Sequence, residues 1–305
     1  MNRSQFLDFD VVEIKTGFIN LLVPKTIGPR IISLSIEGGS NLFAELPNDY
    51  LEYPGEENFY FYGGHRLWLG PENPFITYKP DSQPVNIIET PGLLKITQDL
   101  DDVTGIQKSI HIRLTNFENV VIIDHYIHNA GEEPLNCAPW AITQFRLGGI
   151  VIIPQQIHEG KENKLLPDRS IVLWPYSDIN DPRIHWGNQF IFINTEPLDK
   201  ALKIGVVNNE KWMAYFYDNL LFIKYADNYE SKQMIDNGAT SECYCNSKFA
   251  ELETLGPLTK LEPGQTIRHR EIWRVEVNPF DSITFVNMAD FVIHDEMADI
   301  CLNML

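Results

Sequence analysis

Phe249-Ala-Glu-Leu-Glu-Thr-Leu-Gly-Pro257 is the stretch from which the rest of the chain is read. In an extended strand alternate side chains share a face. Phe249, Glu251, Glu253 and Leu255 therefore point one way, and Ala250, Leu252 and Thr254 the other. The two carboxylates lie two residues apart on one face, ~7 Å by the strand rise. The Gly256-Pro257 pair ends the strand. Acidic residues are depleted in strands, so two on one face need a reason. Either the face is a solvated exterior, or it is the floor of a polar cleft.

Working outward, the chain is built of short strands. Ile32, Leu34 and Ile36 alternate with Ser33 and Ser35, and Ile106, Lys108, Ile110, Ile112 and Leu114 alternate with more polar neighbours. Val120 to His128, Leu135 to Phe145, Phe190 to Asn194, Lys203 to Val207, Trp212 to Tyr217, Leu221 to Ala226 and Thr266 to Val277 read the same way, punctuated by Gly, Pro and Asn turns. Residues 45 to 62 interleave acids with tyrosines around Pro47 and Pro54 and are expected to form a long ordered loop. Helical spacing occurs at the C-terminus, through Ile293, Met297, Ile300, Cys301 and Met304. Regular short strands predict an all-β architecture, a large many-stranded sandwich. The expected organisation is one domain over 1–305, with a C-terminal helical extension at about 281–305.

Composition narrows the function. With 305 residues and 44% hydrophobic content, the chain can bury a large core. Its 24 basic residues against 42 acidic ones give a net charge of −18, which repels nucleic acid and disfavours anionic membranes. No apolar run reaches membrane-spanning length, and the N-terminus lacks a signal-peptide core. Cys137, Cys243, Cys245 and Cys301 have neither disulfide-framework nor zinc spacing. A cytoplasmic protein with reduced thiols is expected, and a small molecule is its expected partner. Nucleotide-binding, GxSxG and HExxH motifs are absent. His125 and His128 lie an odd number apart, on opposite strand faces, and are expected to be ordinary strand histidines.

The second informative stretch is Tyr62-Gly-Gly-His-Arg-Leu-Trp-Leu-Gly-Pro-Glu72. The glycines admit close backbone approach. His65 can exchange a proton near neutral pH, Arg66 offers a planar fork of donors, and Trp68 a flat apolar face. If extended, the segment puts Arg66 and Trp68 on one face and His65 on the other. A structural turn with a core tryptophan would use the same residues.

In this order the pieces resemble the galactose mutarotase (aldose 1-epimerase) superfamily, whose members fold as a β-supersandwich of two large antiparallel sheets. The resemblance runs from about Phe18 to Val277. It rests on GGHRLW early, on ELETLGP late, and on the closing LEPGQTIRHREIW, Leu261 to Trp273. It implies a sugar cleft in which Glu253 is the catalytic base, Arg66 clamps substrate, and Glu251, Trp68 and Trp140 line the site. No cofactor is implied, because only protons move. The like charge of Glu251 beside it is expected to raise the pKa of the base, Glu253, and suit it to work near neutral pH. One departure stands out: the family's acid histidine falls in a segment that here reads Asn136-Cys-Ala-Pro-Trp-Ala-Ile-Thr-Gln-Phe145. His65 and His185 are then the candidate acids. The alternative is a sugar-binding protein without turnover, with Trp140 stacking on the ring. Lyase or hydrolase chemistry fits less well, since glycosidase carboxylates flank the scissile bond.

Overall fold

The computed structural model describes residues 4–54, 57–156, 167–229, 233–277, 279, 284–293 and 295–305. Two large antiparallel sheets face each other. In one, ten strands run in the order Ile184–Trp186, Phe190–Asn194, Ile150–Pro154, Trp212–Tyr217, Leu220–Ala226, Thr266–Val277, Val120–Asn129, Ile106–Leu114, Leu93–Thr97 and Asn86–Thr90. In the other, of nine strands, the main path is Ile171–Leu173, Leu202–Val206, Ser241–Cys245, Ala250–Leu255, Leu135–Phe145, Phe59–Gly70 and Arg30–Ile31. A four-stranded sheet begins with Ser4–Phe6 and Phe9–Lys15. The architecture is the expected all-β supersandwich.

Period-two alternation decides which side chains meet between the sheets. On Val120–Asn129, the buried Val121, Ile123, His125 and Ile127 face inward. Val121 and Ile123 join Phe43, Phe145, Phe222, Leu252, Cys243 and Trp273 in one apolar core, and Ile127 packs with Leu67, Leu69 and Ile106 in another. Each fully buried side chain of this size stabilises the fold by about 1.5–3 kcal/mol before entropy is charged against it. Against the far face of the ten-stranded sheet lie two helices, α1 (Phe285–Ile293) and α2 (Glu296–Leu302), where one helix was expected. Met288 of α1 and Cys301 of α2 pack on Tyr225, Ile223 and Ile272. Residues 281–283 and 294 of the expected extension lie outside the described residues.

A second correction concerns residues 45 to 62, which are not one long loop. Glu45–Leu51 pairs antiparallel with Phe59–Gly70, with a register shift between Leu46 and Tyr50. Pro47 sits at that irregularity on an edge strand, where a missing donor is tolerated.

Gly64 explains part of the GGHRLW stretch. Its φ is +79°, and a Cβ there would meet the Ile31 carbonyl oxygen at 2.2 Å. Close packing and positive φ both exclude a side chain. Gly64→Ala is expected to destabilise the fold by about 2–5 kcal/mol, read as a fall in the urea midpoint. A midpoint within experimental scatter of the parent's would contradict this.

Candidate active site

Strand register assembles the site on the outer face of the nine-stranded sheet. Glu253 lies between Glu242 and Ile142, and Glu251 between Tyr244 and Gln144. Trp140 is opposite Trp68, Ile142 opposite Arg66, and Lys203 opposite Tyr244. Directly opposed residues in an antiparallel pair share a face. Five strands thus bring Lys203, Glu242, Glu251, Glu253, Trp140, Arg66 and Trp68 to one side.

Above this face is a cavity of about 270 Å³, near the lower end of the ~300–1,000 Å³ range of small-molecule pockets. Its walls are aromatic: Phe61, Trp68, Trp140, Tyr176, Tyr244 and Phe249. Glu251, Glu72, Tyr78 and Lys203 supply its polar groups. Trp68 and Trp140 meet edge to face at 5.2 Å, and Trp68 meets Tyr78 at 5.2 Å.

The two carboxylates of the ELETLGP stretch have different fates. Glu251 is on the pocket lining, and its Oε1 accepts a hydrogen bond from Gln144 Nε2 at 2.9 Å. Burial, then the neighbouring Glu253, push its pKa up to about 8, against the opposing pull of Lys203. Burial, more than the like charge of Glu253, is the main cause of this rise. Glu253 is fully buried and lies one layer beneath. Its Oε2 accepts from Trp140 Nε1 at 2.6 Å and from Lys203 Nζ at 2.9 Å.

Lys203 ties this layer together. Its ammonium bridges Glu253 and Glu242, the latter at 2.8 Å. It also lies over the rings of Trp140 and Trp174, 4.6 and 4.7 Å from their centroids. Burial opposes its charge, but the two carboxylates prevail and hold its pKa well above the usual lysine value. Burial raises Glu242 well above the ordinary carboxylate range. Neither Lys203 nor Glu242 was singled out from the sequence. Each is the one charged residue of its strand, and only cross-strand register shows that they meet.

The GGHRLW residues divide as an extended strand requires. Trp68 reaches the pocket. Arg66 shares its face but is only 2% exposed. Its guanidinium lies over Phe59 and Trp68, 4.7 and 5.4 Å from their centroids, and donates to the Phe61 carbonyl. Burial lowers its pKa to about 9. Arg66 therefore supports the pocket from below instead of clamping a ligand within it. His65 points into the core between the sheets, fully buried, and does not line the pocket. His185 is also elsewhere: it sits on the exposed edge strand Ile184–Trp186 and accepts a hydrogen bond from Asn194 Nδ2 at 3.0 Å. Trp140, standing where a histidine was sought, is on the lining.

A larger cleft of about 390 Å³ opens at Lys79, Asp81, Asp101 and Lys108. There Arg30 pairs with Asp81, and Lys79 with Asp101 and Asp102, so its charges are largely spent on one another. No described helix is long and apolar enough to cross a membrane.

No protein-family model and no curated protein matches this chain. Solved structures do. A galactose mutarotase-like protein from Lactobacillus casei superposes with a TM-score of 0.57 at 9% identity, over 87% of this chain and all of that one. A protein provisionally named an aldose 1-epimerase, from Klebsiella pneumoniae, gives 0.58 at 11% identity, over 92% of this chain and 81% of that one. A TPR-domain-containing protein from Parabacteroides distasonis gives 0.62 at 12% identity, but this chain spans only 49% of its length. With the sheet order above, these similarities establish that the chain has the galactose mutarotase-like fold.

Proposed function

We propose that the pocket binds a neutral aldose and interconverts its anomers by proton transfer, with Glu251 as the acid. One observation carries this reading. A carboxyl whose pKa is raised to about 8 stands on the lining of an aromatic-walled cavity of about 270 Å³. Such a group still holds its proton at neutral pH, as an acid for a sugar ring oxygen must.

The chemistry then follows from the lining. Glu251 gives its proton to the ring oxygen. Glu72, which accepts a hydrogen bond from Tyr78 Oη at 2.5 Å, is the other lining carboxyl and takes the proton from the anomeric hydroxyl. The bond between C1 and the ring oxygen breaks and the aldehyde forms. Rotation about C1–C2 and reclosure give the other anomer, with both protons returned. Trp68 and Trp140 offer ring faces to the apolar side of the sugar. Lys203, backed by Glu242 and Glu253, fixes Trp140 and presents a cation to sugar hydroxyls.

A second reading is sugar binding without turnover. It is favoured by the sealing of Glu253 beneath Trp140 and Lys203. Tryptophan fluorescence titrated with common aldoses, alongside polarimetry on freshly dissolved single anomers, separates the two. Saturable quenching with accelerated mutarotation supports the first. Quenching alone supports the second, and neither effect would refute both.

A further inference from the structure

Behind the pocket floor, in the middle of the apolar core, lies a cluster of fully buried polar groups that the proposed chemistry does not use. His65 and Thr143 come from the nine-stranded sheet. His125, Lys224 and Glu271 come from the ten-stranded one. All five are 0% exposed. His65 Nε2 and His125 Nε2 are 2.6 Å apart. His65 Nδ1 is 2.8 Å from Thr143 Oγ1, and Thr143 Oγ1 accepts from Lys224 Nζ at 2.7 Å. His125 Nδ1 is 3.1 Å from the His269 carbonyl oxygen. Lys224 also donates to Glu271 Oε1 at 3.0 Å and to the Leu252 carbonyl at 3.1 Å.

His65, His125 and Glu271 form the donor set of a two-histidine, one-carboxylate metal centre, so a metal must be weighed first. Ligand nitrogens 2.0–2.1 Å from a tetrahedral ion lie roughly 3.3 Å apart, which the 2.6 Å separation does not allow. Glu271 is already engaged. Its Oε1 accepts from Lys224 and Thr254, and its Oε2 from Trp273 Nε1 at 2.7 Å. Metal ligation by His65 Nε2 would also force the proton onto its Nδ1. Thr143 Oγ1 would then receive two donors, and its own proton would have no acceptor among the described residues.

A proton count without metal closes. The His269 carbonyl only accepts, so His125 carries its proton on Nδ1 and presents a lone pair at Nε2. His65 must donate to that lone pair from Nε2, leaving its Nδ1 as an acceptor. Thr143, accepting from Lys224, donates its hydroxyl proton to His65 Nδ1. Every proton of the chain has one acceptor: Lys224 to Thr143, Thr143 to His65, His65 to His125, His125 to the His269 carbonyl.

We propose that these groups form a metal-free, proton-ordered latch between the two sheets, which opens when it takes up one further proton. A proton on His125 Nε2 would face the His65 Nε2 proton head-on. A proton on His65 Nδ1 would face the Thr143 hydroxyl. Either one adds a cation beside Lys224. The other charged or titratable groups facing the chain are Glu271, His269 and, acting on His125, Asp124. Burial, the largest influence, keeps the pKa values of His65, His125 and His269 below the ordinary histidine value, in keeping with neutral rings.

The test is nitrogen-15 NMR of the histidine rings in the intact chain, with metal content measured on the same sample before and after Zn(II) addition. At pH 7 the expected spectrum shows His65 protonated at Nε2, His125 protonated at Nδ1, and less than a tenth of an equivalent of bound metal. On acidification, uptake of a second ring proton by His65 or His125 and loss of the signal of the hydrogen bond between them should coincide with loss of the near-ultraviolet circular dichroism signal from the core tryptophans. Thr143→Val should move that transition to higher pH, whereas Thr143→Ser should leave it in place. If Thr143→Val does not fold, the parent's spectra decide alone. Stoichiometric zinc on two unprotonated Nε2 atoms would overturn the proposal. So would histidines that titrate reversibly while the core signal persists.

Discussion

Lys203→Met is expected to destabilise the protein by about 3–5 kcal/mol at pH 8, the usual cost of stranding one member of a buried ion pair. The ammonium is the shared partner of Glu253 and Glu242, and both carboxylates are fully buried. Methionine keeps most of the volume between Trp140 and Trp174 but supplies no charge. The loss should shrink as pH falls. Burial already raises the pKa of Glu242 far above the carboxylate range, and without the ammonium its protonated form is favoured further. A group whose folded pKa is raised contributes stability that is fully present below its unfolded pKa and lost as pH rises through the folded one. Urea unfolding at pH 5 and pH 8 checks both parts. Equal losses at the two pH values, or a loss under 1 kcal/mol at pH 8, would mean that this layer is not held by its charges.

Glu251→Gln carries the second large expectation, a 10²- to 10⁴-fold fall in anomer interconversion, the range of a general acid. The substitution retains the shape and the contact with Gln144 but has no transferable proton. Aldose affinity should change less than tenfold, because the aromatic walls are untouched. The parent's rate should be sustained up to about pH 8 and fall above it, as Glu251 loses the proton that burial holds there. In the glutamine variant that descending limb should be absent. A variant that keeps the parent's rate and its alkaline limb would move the acid to another side chain.

How much of this was legible beforehand depends on whether the information was local. The faces of the ELETLGP strand and the split between His65 and Arg66 follow from period-two geometry, and both hold in the structure. A large many-stranded sandwich was readable because short alternating strands recur between turn signals, and the resemblance of the GGHRLW and ELETLGP stretches narrowed it to a supersandwich. Strand order was not readable, because register between distant segments leaves no local mark. That is why Lys203 and Glu242 were missed: their importance exists only once Leu202–Val206 and Ser241–Cys245 pair and place the lysine near Glu253. Residues 45 to 51 were misread because Pro47 looks like a strand breaker, yet an edge strand with a register shift accommodates it. His65 looked like an acid by residue type, but its face turns it towards His125, itself expected to be an ordinary strand histidine.

The assignment of Glu251 as a proton donor to a bound sugar is tested most directly by NMR exchange spectroscopy. Parent and Glu251→Gln protein would each be added, at catalytic concentration, to an equilibrated unphosphorylated aldose near pH 7. The account predicts α-to-β cross-peaks growing in proportion to parent protein, and cross-peaks at the buffer level with the variant. Exchange at the buffer level with both proteins, across the common hexoses and pentoses, would contradict it.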